Sequence, residues 1–343
     1  MAKKKLDVDD AVQSIKSEAQ EVTGNKAYDW KQTLSTGSTL LDLAISGGRC
    51  HKGGVPPRIL MEVYGRSGSG KTSILSELCG HAQYKGGEVM YLDPEARLDQ
   101  EYSSIYGMEL KKDCYFKPGT VSEMFTLLNA WNPSNDHINV LAADSLAALS
   151  TELEMEKGDK MGMRRAKEFS EGLRKTCRVI EANNWIIACS NQVRQGDYGD
   201  VTTGGKAIEF YASLRISVNQ VKKIEKEKSL VGLKKIHKQS IGIESKCIIT
   251  KSSIDCPYRT VPIYIIFDHG IDNVRGNLQY IKDTLELPKY WVGDDHKGYM
   301  SMDAAITYVE ENDLENLLVD ETIRIWHMVE DRFKMNRKKK LRD

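Results

Sequence analysis

A lysine and a hydroxyl closing a glycine-rich run give this sequence its first readable chemistry. Gly65-Arg66-Ser67-Gly68-Ser69-Gly70-Lys71-Thr72 fits the pattern G-x-x-x-x-G-K-[ST]. Glycines at that spacing let the backbone wrap phosphate oxygens, N–H groups at a helix N-terminus face the anion, the lysine meets the outer phosphates and the hydroxyl ligates Mg²⁺. Ser73 closes the candidate nucleotide site, and ATP with Mg²⁺ is the ligand such a loop is built for. The cation also needs an acid at the end of an apolar strand. Val140-Leu141-Ala142-Ala143-Asp144 supplies one, so Thr72 and Asp144 are the candidate metal ligands. Hydrolysis further needs a carboxylate to orient water at the terminal phosphate. Glu95, in Leu92-Asp93-Pro94-Glu95-Ala96-Arg97-Leu98-Asp99, follows an apolar run and would project from the carboxyl edge of a sheet. The competing reading has Glu95 capping the next helix, while Asp93 and Asp99 read as structural.

These residues need a scaffold, and the pattern around them is strand, turn, helix, strand. ILMEVY precedes the glycine loop, Ile74, Leu78 and Ala82 form a helical stripe after it, and EVMYL follows Gly86-Gly87. A helix with Met124, Leu127 and Leu128, the strand VLAAD, a long helix from about Arg165 and the strand WIIACS continue the alternation. The fold class is therefore α/β, a mainly parallel central sheet flanked by helices. From about residue 211 the helices stop, and YASLRISV, KCIIT and VPIYIIF read as antiparallel strands closing the sheet. A short helix after 269 and a second helical stretch at 302–335 make a small α-rich C-terminal domain. Val12, Ile15 and Ala19 at helical spacing make residues 1–32 an N-terminal arm and linker. The expected divisions are thus 1–32, a core at 33–268, 269–335 and a basic tail at 336–343.

Composition narrows the class. With 343 residues, 29% charged and a mean hydropathy of −0.46, the chain reads as a soluble globular protein. No apolar run approaches the roughly 20 residues of a membrane span, and the N-terminus lacks a signal-like apolar segment, so a cytoplasmic protein is expected. Seven scattered cysteines without a C-x-x-C pair argue against zinc and a disulfide framework. Forty-nine basic residues balance 49 acidic ones, so a polyanion would have to meet local patches: Lys3–Lys5, KKIEKEK at 222–228 with Lys234, Lys235 and Lys238, and RKKKLR at 337–342.

STGSTLLDLAISGG (35–48), the glycine loop, LDPEARLD (92–99), VLAADSLAAL (140–149), SNQVR (190–194), TTGGKAIEFYASLR (202–215) and HGIDNVRGNL (269–278) stand in the order and approximate spacing of one family. The chain resembles the RecA/UvsX family of homologous-recombination ATPases over roughly residues 33–330, in segments that reach well beyond the generic phosphate loop. The resemblance implies a RecA-like core in which Glu95 is the catalytic glutamate, Tyr102 stacks on adenine, and Gln192 senses the terminal phosphate. It makes Phe210 an aromatic at the subunit interface and puts DNA-binding loops at about 156–165 and 194–206. Catalysis would then rest on Glu95, Lys71, Gln192 and, across the interface, Lys251.

Residue chemistry in those loops agrees. Met161, beside Gly162, is an apolar wedge suited to unstacked bases, and Arg164 and Arg165 can neutralise phosphates. Arg194 and Lys206 are cations bounding the second loop, Tyr198 is a stacking candidate, and the amides of Gly204 and Gly205 can approach a phosphate closely. Read without the resemblance, each is a solvated loop residue. The sequence also departs from the bacterial pattern. The second loop is shorter, Ser253 replaces the second of two cross-subunit lysines so that Lys251 stands alone, and the tail is basic where the bacterial one is acidic. The tail is either a solvated segment or a duplex-capturing one. The divergence leans towards a phage-encoded member.

The expected activity is a DNA-dependent ATPase forming ATP-bound helical filaments on single-stranded DNA and pairing it with homologous duplex DNA, with single-strand-binding and loader proteins as further partners. A helicase-like or regulatory ATPase, a mediator paralogue and a small-molecule kinase are the rivals. The kinase leaves TTGGKAIEFYAS unexplained.

Overall fold

The computed structural model describes residues 32–152, 162–196, 199–202, 206–229, 236–335 and 337. By compactness the chain divides into Met1–Gln32 and Thr33–Asp343. The arm expected from Val12, Ile15 and Ala19 lies outside the described residues.

The second unit opens with α1 (Thr39–Ser46), then β1 (Ile59–Gly65), α2 (Lys71–Tyr84), β2 (Val89–Leu92), α3 (Gln100–Ser104), β3 (Tyr115–Phe116), α4 (Val121–Ala130) and β4 (Asn139–Ala143). It continues with α5 (Gly162–Ala182), β5 (Trp185–Gly196), β6 (Gly199–Thr202), α6 (Lys206–Tyr211), β7 (Leu214–Ser229), β8 (Ile236–Ser252), β9 (Thr260–Ile266) and β10 (Gly270–Ile271), and ends in α7 (Asn273–Thr284), α8 (Met302–Glu311) and α9 (Glu315–Phe333). Among the described residues the sheet runs β10-β9-β8-β7-β1-β5-β4-β2-β3, with β6 paired to β5. From β3 across to β7 neighbours are parallel, and from β7 to β10 antiparallel. The α/β class and mainly parallel sheet expected from the alternation are what the chain adopts.

Both faces of the parallel part are covered, which is why β1, β2 and β4 are almost continuously buried rather than alternating. Ile74, Leu78 and Ala82, the stripe read from spacing, are fully buried on α2. Helices α4 and α5 meet the sheet through Phe125, Phe169, Leu173 and Ile187, with the Phe125 and Phe169 rings edge to face at 6.3 Å. A second apolar cluster joins α7, α8 and α9 through Leu278, Ile281, Ala305, Val309 and Ile325.

Three expectations need correction. The helices do stop at 211, where Tyr211 ends α6, but the strand read from Tyr211 begins only at Leu214. The stretch 302–335 is two helices, because Asn312 ends α8 and Asp313 takes a φ of +52°, a left-handed conformation that Asp tolerates better than most residues. The lysine-rich 222–228, read as a patch, is the outer part of β7, paired with β8 from Lys222↔Glu244 to Lys228↔His237. From Glu225 outward, past the end of β9, its charges belong to a two-stranded ribbon whose side chains face solvent, so no apolar period marks a strand.

Candidate active site

β1 ends at Gly65 and α2 begins at Lys71, so the glycine loop sits where strand hands over to helix. Gly70 has a φ of +98°, and a Cβ there would collide with Cδ1 of Ile265 on β9, so only glycine fits. The loop, the ends of β2 and β4, and β9 enclose a cavity of about 360 Å³. Lys71 is 8% exposed and donates from Nζ to the Arg66 carbonyl at 2.8 Å. Burial pulls its pKa below the ordinary lysine value, and the Asp144 and Glu95 carboxylates pull it back up.

Thr72 Oγ1 donates to Asp144 Oδ2 at 2.6 Å. Tyr91 adds a hydroxyl bond to the same oxygen at 3.2 Å, and Ser190 Oγ donates to the other. Burial first, and the Asp144 charge second, hold Tyr91 protonated far above its usual range. These donors orient Asp144 towards the phosphate loop. Neighbouring ligands of an octahedral Mg²⁺ with bonds of about 2.1 Å stand about 3 Å apart, so the Thr72 and Asp144 oxygens are spaced to share one. The buried Ser69 hydroxyl, on the cavity wall, has no partner among the described residues and fits a phosphate or cation-bound water.

Glu95 also faces the cavity. Its Oε2 pairs with Arg97 Nη1 at 2.6 Å, and its Oε1 accepts from Ser145 Oγ at 2.8 Å and Gln192 Nε2 at 3.3 Å. It does not cap α3. Asp99 does, accepting from Tyr102 N at 2.7 Å. Asp93 is structural as expected, accepting from the Arg97 and Leu98 amides at 2.8 Å and the Tyr115 hydroxyl at 2.7 Å. Ala96, beside Glu95, is left-handed at φ +53°, the turn that carries the carboxylate out over the cavity. Gln192 stands in register with Gly65, and Tyr102 lines the opposite side.

Sequence reasoning missed Arg97, Ser145 and Ser190 around the two carboxylates, and Ile243, Ile265 and Phe267 on the cavity wall. Position beside Glu95 and Asp144 signalled the first two. Nothing in the sequence signalled the apolar wall, which comes from strands beyond residue 240. Also missed was Glu62, a lone acid inside the apolar run of β1. Fully buried, it accepts from Arg215 Nε at 2.6 Å and Asn191 Nδ2 at 2.9 Å, while Arg215 Nη1 meets Glu209 Oε1 at 3.1 Å. One carboxylate thereby joins β5, one residue before Gln192, to α6.

On α6, Phe210 is 75% exposed. Lys251 lies on β8, in register with Arg215, and donates to the Glu209 and Phe210 carbonyls at 2.7 and 2.9 Å. It closes the end of α6 and is not among the residues lining the cavity. Arg164 and Arg165 lie on the first turns of α5, which starts at Gly162, and Arg164 reaches Glu168 only loosely, at 3.8 Å. The segment read as a second loop is partly a hairpin, with Arg194 paired to Val201, and Lys206 opens α6. Met161, Tyr198, Gly204 and Gly205 lie outside the described residues, as does the tail apart from Arg337.

A phosphate loop at the carboxyl edge of a parallel sheet, with hydroxyl and carboxylate set for a divalent cation, belongs to the P-loop class of nucleotide-binding proteins. Comparison with known sequences narrows the class. Residues 10–272 match the family model for the RecA N-terminal domain. "Protein RecA" of Rippkaea orientalis is 30% identical over 299 residues, covering 84% of this chain and 81% of the relative. "Protein RecA" of Synechocystis sp. is 28% identical over 303 residues (85% and 81%), and that of Xanthomonas axonopodis pv. citri 27% over 302 (84% and 83%). The chain belongs to the RecA family. Membership puts it among ATP-binding and DNA-binding proteins of recombination and repair. No helix among the described residues is long and apolar enough to cross a membrane.

Proposed function

We propose that this protein is a DNA-dependent ATPase that assembles as a filament on single-stranded DNA with ATP bound, and promotes homologous pairing and strand exchange with duplex DNA in the cytoplasm. The observation that carries the reading is β5. Gln192 on that strand meets Glu95 at 3.3 Å in the cavity, and the same strand runs on to Gly196, into the segment expected to contact DNA. A change at the terminal phosphate that moves Gln192 therefore has a rigid path to that segment. Glu62 gives it a second path, through Arg215 to α6 and the exposed Phe210.

In the chemical step Glu95 orients the attacking water and accepts its proton. Its bonds from Ser145 and Arg97 fix the carboxylate's direction. Lys71 neutralises charge on the outer phosphates, and Thr72 and Asp144 would hold Mg²⁺, which supplies further charge neutralisation there. Tyr102 faces the base. Arg164, Arg165, Arg194 and Lys206 meet DNA phosphates, and their contribution falls with salt.

ATP hydrolysis by the full chain, with and without single-stranded DNA, beside electron microscopy with a non-hydrolysable analogue, tests the reading. Strong stimulation by DNA and helical filaments are expected, and Glu95→Gln should cut turnover by 10²-fold or more while leaving filaments intact. Rings, or hydrolysis indifferent to DNA, would favour a helicase-like ATPase.

A further inference from the structure

The nucleoside end of the cavity carries a hydroxyl chain that the phosphate-loop pattern does not require. Tyr106, 6% exposed, donates its hydroxyl proton to the Tyr102 hydroxyl at 3.0 Å, and the Ser73 hydroxyl lies 2.9 Å from that of Tyr106. With the Tyr106 proton committed to Tyr102, Ser73 must donate the other bond. The protons therefore run one way, from Ser73 on the first turn of α2 to Tyr106 and then to Tyr102. Tyr102 accepts one bond and keeps its own proton to donate into the cavity it lines.

The rings are held as firmly as the hydroxyls. Tyr102 and Tyr106 meet edge to face, centroids 5.3 Å apart at 63°. Gly270, at φ +91°, closes over the far side, where a Cβ would stand 3.1 Å from Tyr106 Cε1. Burial raises the Tyr106 pKa well above the tyrosine range, so its proton is present at any working pH. Tyr102 itself sits on a five-residue helix at the cavity rim, Gln100–Ser104.

We propose that Tyr106 is a positioning residue: through the chain Ser73–Tyr106–Tyr102 it fixes the Tyr102 ring for the nucleoside half of the nucleotide and ties that ring to the first turn of the phosphate-binding helix. The inference rests on the reading of this cavity as an ATP site. Preorganising the ring removes an ordering cost from binding, so the effect belongs in nucleotide affinity and not in the hydrolytic step.

The test is calorimetric titration of the full chain with Mg²⁺-ATP and, separately, with Mg²⁺-tripolyphosphate, which has phosphates but no nucleoside. Tyr106→Phe keeps the ring and deletes one hydroxyl. ATP affinity should fall about fivefold, the scale of one lost hydrogen bond, with tripolyphosphate affinity unchanged and the hydrolytic defect in KM rather than kcat. Ser73→Ala should lose ATP affinity in the same direction, and Tyr102→Phe with Tyr106→Phe should lose no more than the larger single change. Equal weakening towards both ligands, additive losses, or no loss of ATP affinity would each overturn the proposal. Failure of the unsubstituted protein to bind either ligand would overturn the nucleotide-site reading itself, and the proposal with it.

Discussion

Two carboxylates away from the cavity, Asp42 buried and Glu77 partly buried, have acquired a proton affinity that neither has in water. Asp42 on α1 is pushed up to about 6 and Glu77 on α2 to about 7, in both cases chiefly by burial. Asp42 is offset by bonds from Ser35, from the Thr36 amide and hydroxyl, and by Lys85. Glu77 takes one amide bond from Ile271 at 3.3 Å and feels the Asp42 charge. Because the folded pKa values are raised, between the ordinary carboxylate range and about pH 7 the folded chain holds protons that the unfolded chain has released. Stability from these groups is full at the acidic end and is lost as pH rises through that window. Glu77→Gln should therefore gain stability relative to the unsubstituted chain as pH rises from about 5 to 8. Urea midpoints at several pH values check it, and parallel curves would remove the shift at Glu77.

At the scale of elements, β7 and β8 form the feature least forced by the core. Their outer halves pair lysines with glutamates: Lys222 with Glu244 at 2.9 Å, and Lys238 with Glu225 at 2.8 Å and Glu227 at 3.9 Å. Apart from Glu244 these side chains are largely exposed, and exposed pairs contribute little, about 0–1 kcal/mol each. Joining Glu225 directly to Ser240, which are ladder partners, through an Asn-Gly turn should leave the melting temperature within about 5 °C and ATP affinity unchanged. Circular dichroism and ATP titration measure both, and a collapse of the fold would show that the ribbon is an integral strand pair. Its length was not legible in the sequence. Val221 and Ile224 are too few to mark an apolar face, and only pairing with β8 makes KKIEKEK a strand.

For the whole molecule, Trp326 fastens α9 to α1 and to the turn that leads into β9. It packs with Leu43 of α1 and Ile323, and the Arg259 guanidinium lies 4.9 Å over its ring. Arg259 in turn holds Asp255 at 2.8 Å and Glu330 on α9 at 2.7 Å. Trp326→Ala opens a cavity where two elements far apart in sequence meet, and should cost about 3–5 kcal/mol by chemical denaturation. A loss below about 1 kcal/mol would mean that the ion pairs alone dock α9.

The phosphate loop, the α/β alternation and the acids at strand ends were all readable from the sequence, because each is local: a turn needing glycine, a helix needing a stripe, an acid following an apolar run. The family was readable because seven such segments stand in one order. Tertiary structure alone decided which groups meet. Glu95 faces Gln192 across 97 residues of sequence and is held by Ser145, Lys251 bonds the last carbonyls of α6, and Glu62 finds Arg215. A side chain's partner is set by the order and register of strands in the sheet, and no single strand carries the order of its neighbours. For the same reason a lone glutamate in an apolar run and a tyrosine four residues beyond another gained their meaning only once the sheet had closed around them.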